Sequence, residues 1–68
     1  MISNIPDGYI ELDYDMMMKD DPKYNVVCFA IADEMIWIPR SQLSDYFEDG
    51  EGKTMIITEW IAKQKGLI

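Results

Sequence analysis

The side chains able to do chemistry in this chain are almost all carboxylates: thirteen Asp and Glu stand beside six Lys and Arg, one Cys and no His. Carboxylates alone offer two chemistries, cation binding and general acid–base work. An EF-hand loop needs oxygen ligands at positions 1, 3 and 5, Gly at 6 and a bidentate Glu at 12. Counted from Asp45, Asp49 and Gly50 fall on positions 5 and 6, but Phe47 takes position 3 and Ile56 position 12. Counted from Asp13, Met17 and Met18 take positions 5 and 6. Neither register makes a calcium loop.

Acid–base catalysis needs a carboxyl whose pKa is lifted by burial or by a close neighbour. The acids here fall on an open strand face or in a loop. Ser41 and Ser44 have no His to activate them. Cys28 lies between Val27 and Phe29 and reads as a buried, inert thiol. Gly50-Glu51-Gly52 carries the wrong charge to cradle a phosphate. Without His the commonest zinc ligand is missing, and one Cys allows neither an internal disulfide nor a CxxC site. The expectation is a protein that is not an enzyme and carries no metal or cofactor.

What the acids can do together is set a field. The formal net charge is -7 over 68 residues, which opposes binding to nucleic acid or to an anionic membrane. Residues 1–21 hold Asp7, Glu11, Asp13, Asp15, Asp20 and Asp21 against Lys19 alone, a local net of -5. Glu11, Asp13 and Asp15 alternate with Ile10, Leu12 and Tyr14. That is the period of a half-buried strand, and it spaces the acids about 6.6 to 6.8 Å apart. Such a row resembles the phosphates along one nucleic-acid strand. Asp45, Glu48, Asp49 and Glu51 form a second cluster. Side by side, the two clusters would present an anionic surface to a basic groove.

The elements that must position these residues read as follows. Pro6-Asp7-Gly8 is a turn signal ahead of the first strand. Met16 to Pro22 reads as a short turn or one helical turn, closed by Asp20-Asp21-Pro22. Tyr24 to Ala32 carries no charge and is rich in β-branched and aromatic residues, so it reads as a central strand buried on both faces. Asp33-Glu34 leads by a tight hairpin into Met35 to Ile38, and Pro39 closes that strand. Ser41 is placed to cap a helical turn through Phe47, and 48–53 reads as a flexible acidic loop. Thr54 to Thr58 is a strand, and Thr58 the N-cap of a helix from Glu59 to Lys65 with Gly66 at C′. Trp60, Ile61 and Leu67 are placed to cover the sheet, with Trp37 and Trp60 as core anchors. The expected fold is one small α+β domain over 1–68. It has an antiparallel sheet of three to four strands and one short C-terminal helix packed on one face.

No segment approaches the roughly 20 apolar residues needed to span a bilayer. The N-terminus lacks a basic, then apolar, leader, and one Cys beside six Met suits a reducing compartment. The chain reads as a complete, soluble protein of the cytoplasm.

Trp37-Ile38-Pro39-Arg40-Ser41-Gln42, an acidic Gly-containing loop, and then Glu59-Trp60-Ile61-Ala62 running on to Lys65-Gly66-Leu67 resemble a group of small proteins encoded by phages and prophages. The likeness covers roughly residues 26 to 68 and leaves the acidic first strand outside. It implies a phage setting, hence the cytoplasm of an infected bacterium, and no catalytic residues. By size, charge and setting the chain is similar to anti-CRISPR proteins that mimic DNA and occlude the basic channel of a nucleic-acid-guided effector. The resulting expectation is an inhibitor, monomeric or weakly dimeric, whose Glu11, Asp13, Asp15, Asp20, Asp21, Asp45, Glu48, Asp49 and Glu51 face a basic protein partner. The alternative is an accessory module of phage replication or recombination, recognised through an apolar patch at Met16-Met17-Met18 and the Trp37 hairpin.

Overall fold

The computed structural model describes residues 5–49 and 52–68, without the Asp49 side chain. Six strands precede one helix: β1 (Tyr9–Asp13), β2 (Met16–Asp21), β3 (Val26–Ile31), β4 (Glu34–Pro39), β5 (Leu43–Asp49), β6 (Gly52–Thr58) and α1 (Glu59–Gln64). They form two antiparallel three-stranded sheets, ordered β1-β6-β5 and β2-β3-β4. The antiparallel sheet and the short C-terminal helix are as expected. The strand number is not, because two segments read as turn or helix are strands.

Both corrections have one cause, a β-bulge. In β2 the register shifts between Met17 and Lys19, and in β5 between Leu43 and Asp45. Each bulge lengthens the interval between inward positions from two residues to three, giving Leu43 and Tyr46, both packed on the core. Three-residue spacing imitates a helix and hides the period-2 signal. Only Arg40–Gln42 is helical in that region, as a single 3-10 turn with no side-chain cap. The proposed cap at Ser41 is therefore absent. The 48–53 stretch is also shorter as a loop than expected, since Glu48 pairs with Lys53 and Asp49 with Gly52 in the β5–β6 ladder. Gly50 and Glu51 lie outside the described residues.

The chain changes sheets at one corner. Tyr14 N–H donates to the Lys53 carbonyl at 3.0 Å, continuing the β1–β6 ladder, and Asp15 N–H donates to the Ala30 carbonyl at 2.8 Å, opening the β2–β3 ladder. The inner faces share one core: Val27, Phe29, Ile36 and Ile38 from one sheet, Met55 and Ile57 from the other, with Tyr14, Ile61 and Ala62. Tyr14, Phe29 and Tyr46 stack across it, with ring centroids 4.7 and 5.5 Å apart. Such tilted and edge-on geometry suits the ring quadrupoles.

The helix closes the core at one end. Thr58 Oγ accepts from Ile61 N–H at 3.1 Å as the N-cap. Gly66, at φ +70°, lets Gly66 N–H reach the Lys63 carbonyl and Leu67 N–H the Ala62 carbonyl, the two bonds of a Schellman motif. Ile61 and Ala62 are buried and Leu67 packs against the core, but Trp60 is exposed. In a helix of six residues, Trp60 falls on the face opposite Ala62. Trp37 is likewise no core anchor, since it alternates with the inward Ile36 and Ile38 and stands on the outer face of β4.

Candidate functional site: two outer sheet faces

Each sheet has an outward face, and the two differ in chemistry. On β1-β6-β5 the register sets Glu11 opposite Ile56 and Ile56 opposite Asp45, while Asp13 faces Thr54 and Thr54 faces Phe47. Glu11, Asp13, Asp45 and Phe47 are exposed. Glu11 and Asp45 flank the central strand, roughly 10 Å apart by two strand spacings. Among the described residues no cation lies within ion-pair distance of Glu11, Asp13 or Asp45. Asp13 accepts a long hydrogen bond from Thr54 Oγ1 at 3.5 Å, and Asp45 accepts from Tyr46 N–H at 2.8 Å beside the bulge.

The other anticipated acids are drawn elsewhere. Asp15 falls past the end of β1, where its Oδ2 accepts from Ala32 N–H at 2.9 Å and ties the sheet-changing corner to the β3–β4 turn. The three-acid row of one strand is therefore two residues long. Asp20 pairs with Arg40, Asp21 with Lys19 at 3.6 Å, and Glu48 with Lys53 at 3.7 Å. Asp21 Oδ1 also accepts from Lys23 N–H at 3.1 Å. Asp49 lies in β5, and Glu51 is outside the described residues. Of the nine acids, the fold brings Glu11, Asp13 and Asp45 together and gives four of the others local partners.

The outer face of β2-β3-β4 is apolar. Met16, Ala30 and Met35 form one cross-strand row, and Lys19, Cys28 and Trp37 the next. The β2 bulge adds Met18 to the same side. Met16, Met18, Met35 and Trp37 are all exposed. Cys28 is fully buried between its neighbours, and burial pushes its thiol pKa up, so it stays protonated at neutral pH and is a poor nucleophile. Sequence reasoning missed Met35 and Phe47 as surface residues. The alternation of Met35 and Trp37 with Ile36 and Ile38 was a usable signal for the first. The β5 bulge obscured the second.

Among the described residues no group of three His, Cys, Asp or Glu is placed to hold a metal, and no helix is long and apolar enough to cross a membrane. No protein-family model matches the sequence, and neither a curated protein nor a solved structure matches it. The functional reading rests on these two surfaces.

Proposed function

We propose that this protein is a non-enzymatic inhibitor that occupies a basic, nucleic-acid-binding surface of a protein partner. The observation that carries the reading is the convergence of Glu11, Asp13 and Asp45 on one open sheet face, with no cation paired to them among the described residues. The sheet fixes the backbone beneath these carboxylates, so only side-chain ordering, and no loop ordering, opposes their meeting a row of Lys or Arg. The field of a -7 chain speeds the encounter and makes it sensitive to salt. Exposed Phe47, across Thr54 from Asp13, adds an apolar anchor beside the charges. In the phage setting, the partner is a host effector such as a CRISPR complex, inhibited by competition with its target DNA.

The test is capture of tagged protein from bacterial lysate at low and high salt, followed by DNA competition on the captured complex. Glu11→Lys with Asp45→Lys is expected to abolish capture and competition. Asp7→Lys with Glu34→Lys changes net charge equally and is expected to weaken them only modestly. Equal loss in both pairs would reduce the effect to net charge, and intact competition in the first pair would sink the mimicry.

The exposed Met16, Met18, Met35 and Trp37 favour a second reading, an accessory module docked through the opposite face. It predicts capture that survives high salt and fails with Met16→Ser and Met35→Ser.

A further inference from the structure

Five methionines lie among the described residues, and the fold sorts them into two groups. Met55, on the inner face of β6, is fully buried in the core. Met17 takes the inner side of β2, opposite Phe29, and is half-buried against the same core. Met16, Met18 and Met35 stand instead on the outer face of β2-β3-β4, 52%, 47% and 59% exposed. The chain itself does not announce this division, since Met16, Met17 and Met18 are consecutive.

Strand register is the cause. Met16 and Met35 flank Ala30 in one cross-strand row, and the single methyl between them is too short to cover either thioether. Met18 is the extra residue of the β2 bulge, where two residues stand against one of β3. The next row differs, because Cys28 lies between Lys19 and Trp37 and is fully buried. One face therefore carries three open sulfurs and one closed sulfur.

We propose that this face is a site of reversible oxidation, in which hydrogen peroxide converts Met16, Met18 and Met35 to sulfoxides and spares Met55 and Cys28. The sulfur lone pair attacks one peroxide oxygen. The S–O bond forms as the O–O bond breaks, and the departing hydroxide takes the proton of the transferred oxygen and leaves as water. Sulfur loses two electrons and the peroxide gains them. Each conversion replaces a flexible apolar side chain by a polar one, so the three together turn an apolar surface polar. None of the three belongs to the core, and the fold survives the change. Cys28 is spared twice: its sulfur is covered, and its thiol stays protonated, whereas peroxide attacks the thiolate. Methionine sulfoxide reductases reverse the conversion.

Timed exposure of the folded protein to hydrogen peroxide tests this, read by peptide mass spectrometry with fragment ions that separate Met16, Met17 and Met18. Met16, Met18 and Met35 are expected to gain oxygen about tenfold faster than Met55, with Met17 between. In denaturing guanidinium chloride the five should react alike. The oxidised protein should keep the far-ultraviolet circular dichroism of the parent and elute earlier from a hydrophobic-interaction column. Methionine sulfoxide reductases should restore the parent elution. The triple variant Met16→Leu, Met18→Leu, Met35→Leu keeps the face apolar and removes its open sulfurs, so peroxide should move its elution far less. Oxidation of Met55 or Cys28 as fast as the three, or an equal elution shift in the triple variant, would overturn the proposal. Neither Glu11 nor Asp45 enters these readouts, so acidic-face competition stands or falls separately.

Discussion

Tyr14 shows how one side chain links the corner to the core. Its hydroxyl donates to the Phe47 carbonyl at 3.2 Å, its ring stacks on Phe29, and its backbone continues the β1–β6 ladder. Desolvation in the core, then the carboxylate of Glu48 and the nearby Tyr46, raise its pKa above the ordinary tyrosine value of 10.0. The folded state therefore holds the phenol proton more tightly than the unfolded chain. That contribution is fully present below about pH 10 and is lost as pH rises through the folded pKa. Tyr14→Phe should cost about 1 kcal/mol at neutral pH through the lost hydrogen bond. It should also show a smaller fall in stability between about pH 9 and 12 than the parent. Urea denaturation at a series of pH values measures both, and parallel curves would refute the linkage.

At the scale of elements, the β3–β4 connection carries the clearest local strain. Ala32 and Asp33 sit at φ 52° and 66°, the pair of left-handed residues of a type I′ turn. The Asp33-Glu34 signal located the hairpin, but nothing in Ala32 announces positive φ. Tertiary structure imposes it, since β3 and β4 must stay in register and Ala32 N–H is held by Asp15. Ala in that region costs about 1 to 2 kcal/mol. Ala32→Asn with Asp33→Gly should raise stability by about 1 kcal/mol, or roughly 4–8 °C in a domain of this size. Calorimetry decides it, and an unchanged or lower Tm would show that the turn is not strained. Strands with regular alternation, β1 and β4, were legible, as were the caps of α1 at Thr58 and Gly66. The strands with bulges were not, because an inserted residue changes the very period by which a strand is read.

For the molecule as a whole, the excess of negative charge costs stability through self-repulsion. Four surface ion pairs are present among the described residues, each worth only about 0 to 1 kcal/mol. Against them stand Glu11, Asp13 and Asp45 on one face, with no ion-pair partner among the described residues. Screening weakens both, but repulsion is the more extended term for a -7 chain. Raising NaCl from about 0.02 to 0.5 M should therefore raise the Tm. Glu11→Lys should raise it at low salt by a few tenths of a kcal/mol and blunt the salt response. Thermal melts across that range check both, and a Tm that falls with salt would mean that the ion pairs dominate. A variant that is more stable yet binds less is what a functional acidic face predicts.

The sequence by itself determined the inward and outward sides of β1, the buried central strand around Cys28, the capped C-terminal helix and the sign of the field. Each follows from local periodicity, capping chemistry or a sum over charges, none of which needs to know the neighbours. Tertiary structure alone decided which acids meet. Glu11 and Asp45 are 34 positions apart in the chain and share a face because β6 pairs with both β1 and β5. Asp20 and Glu48, equally acidic in the sequence, are paired with Arg40 and Lys53, which the folding of the strands brings beside them, while Asp21 pairs with Lys19 of its own strand. It likewise gathered Met16, Met18, Met35 and Trp37 on one face, because strand register places a side chain by its partner across the ladder rather than by its neighbour along the chain.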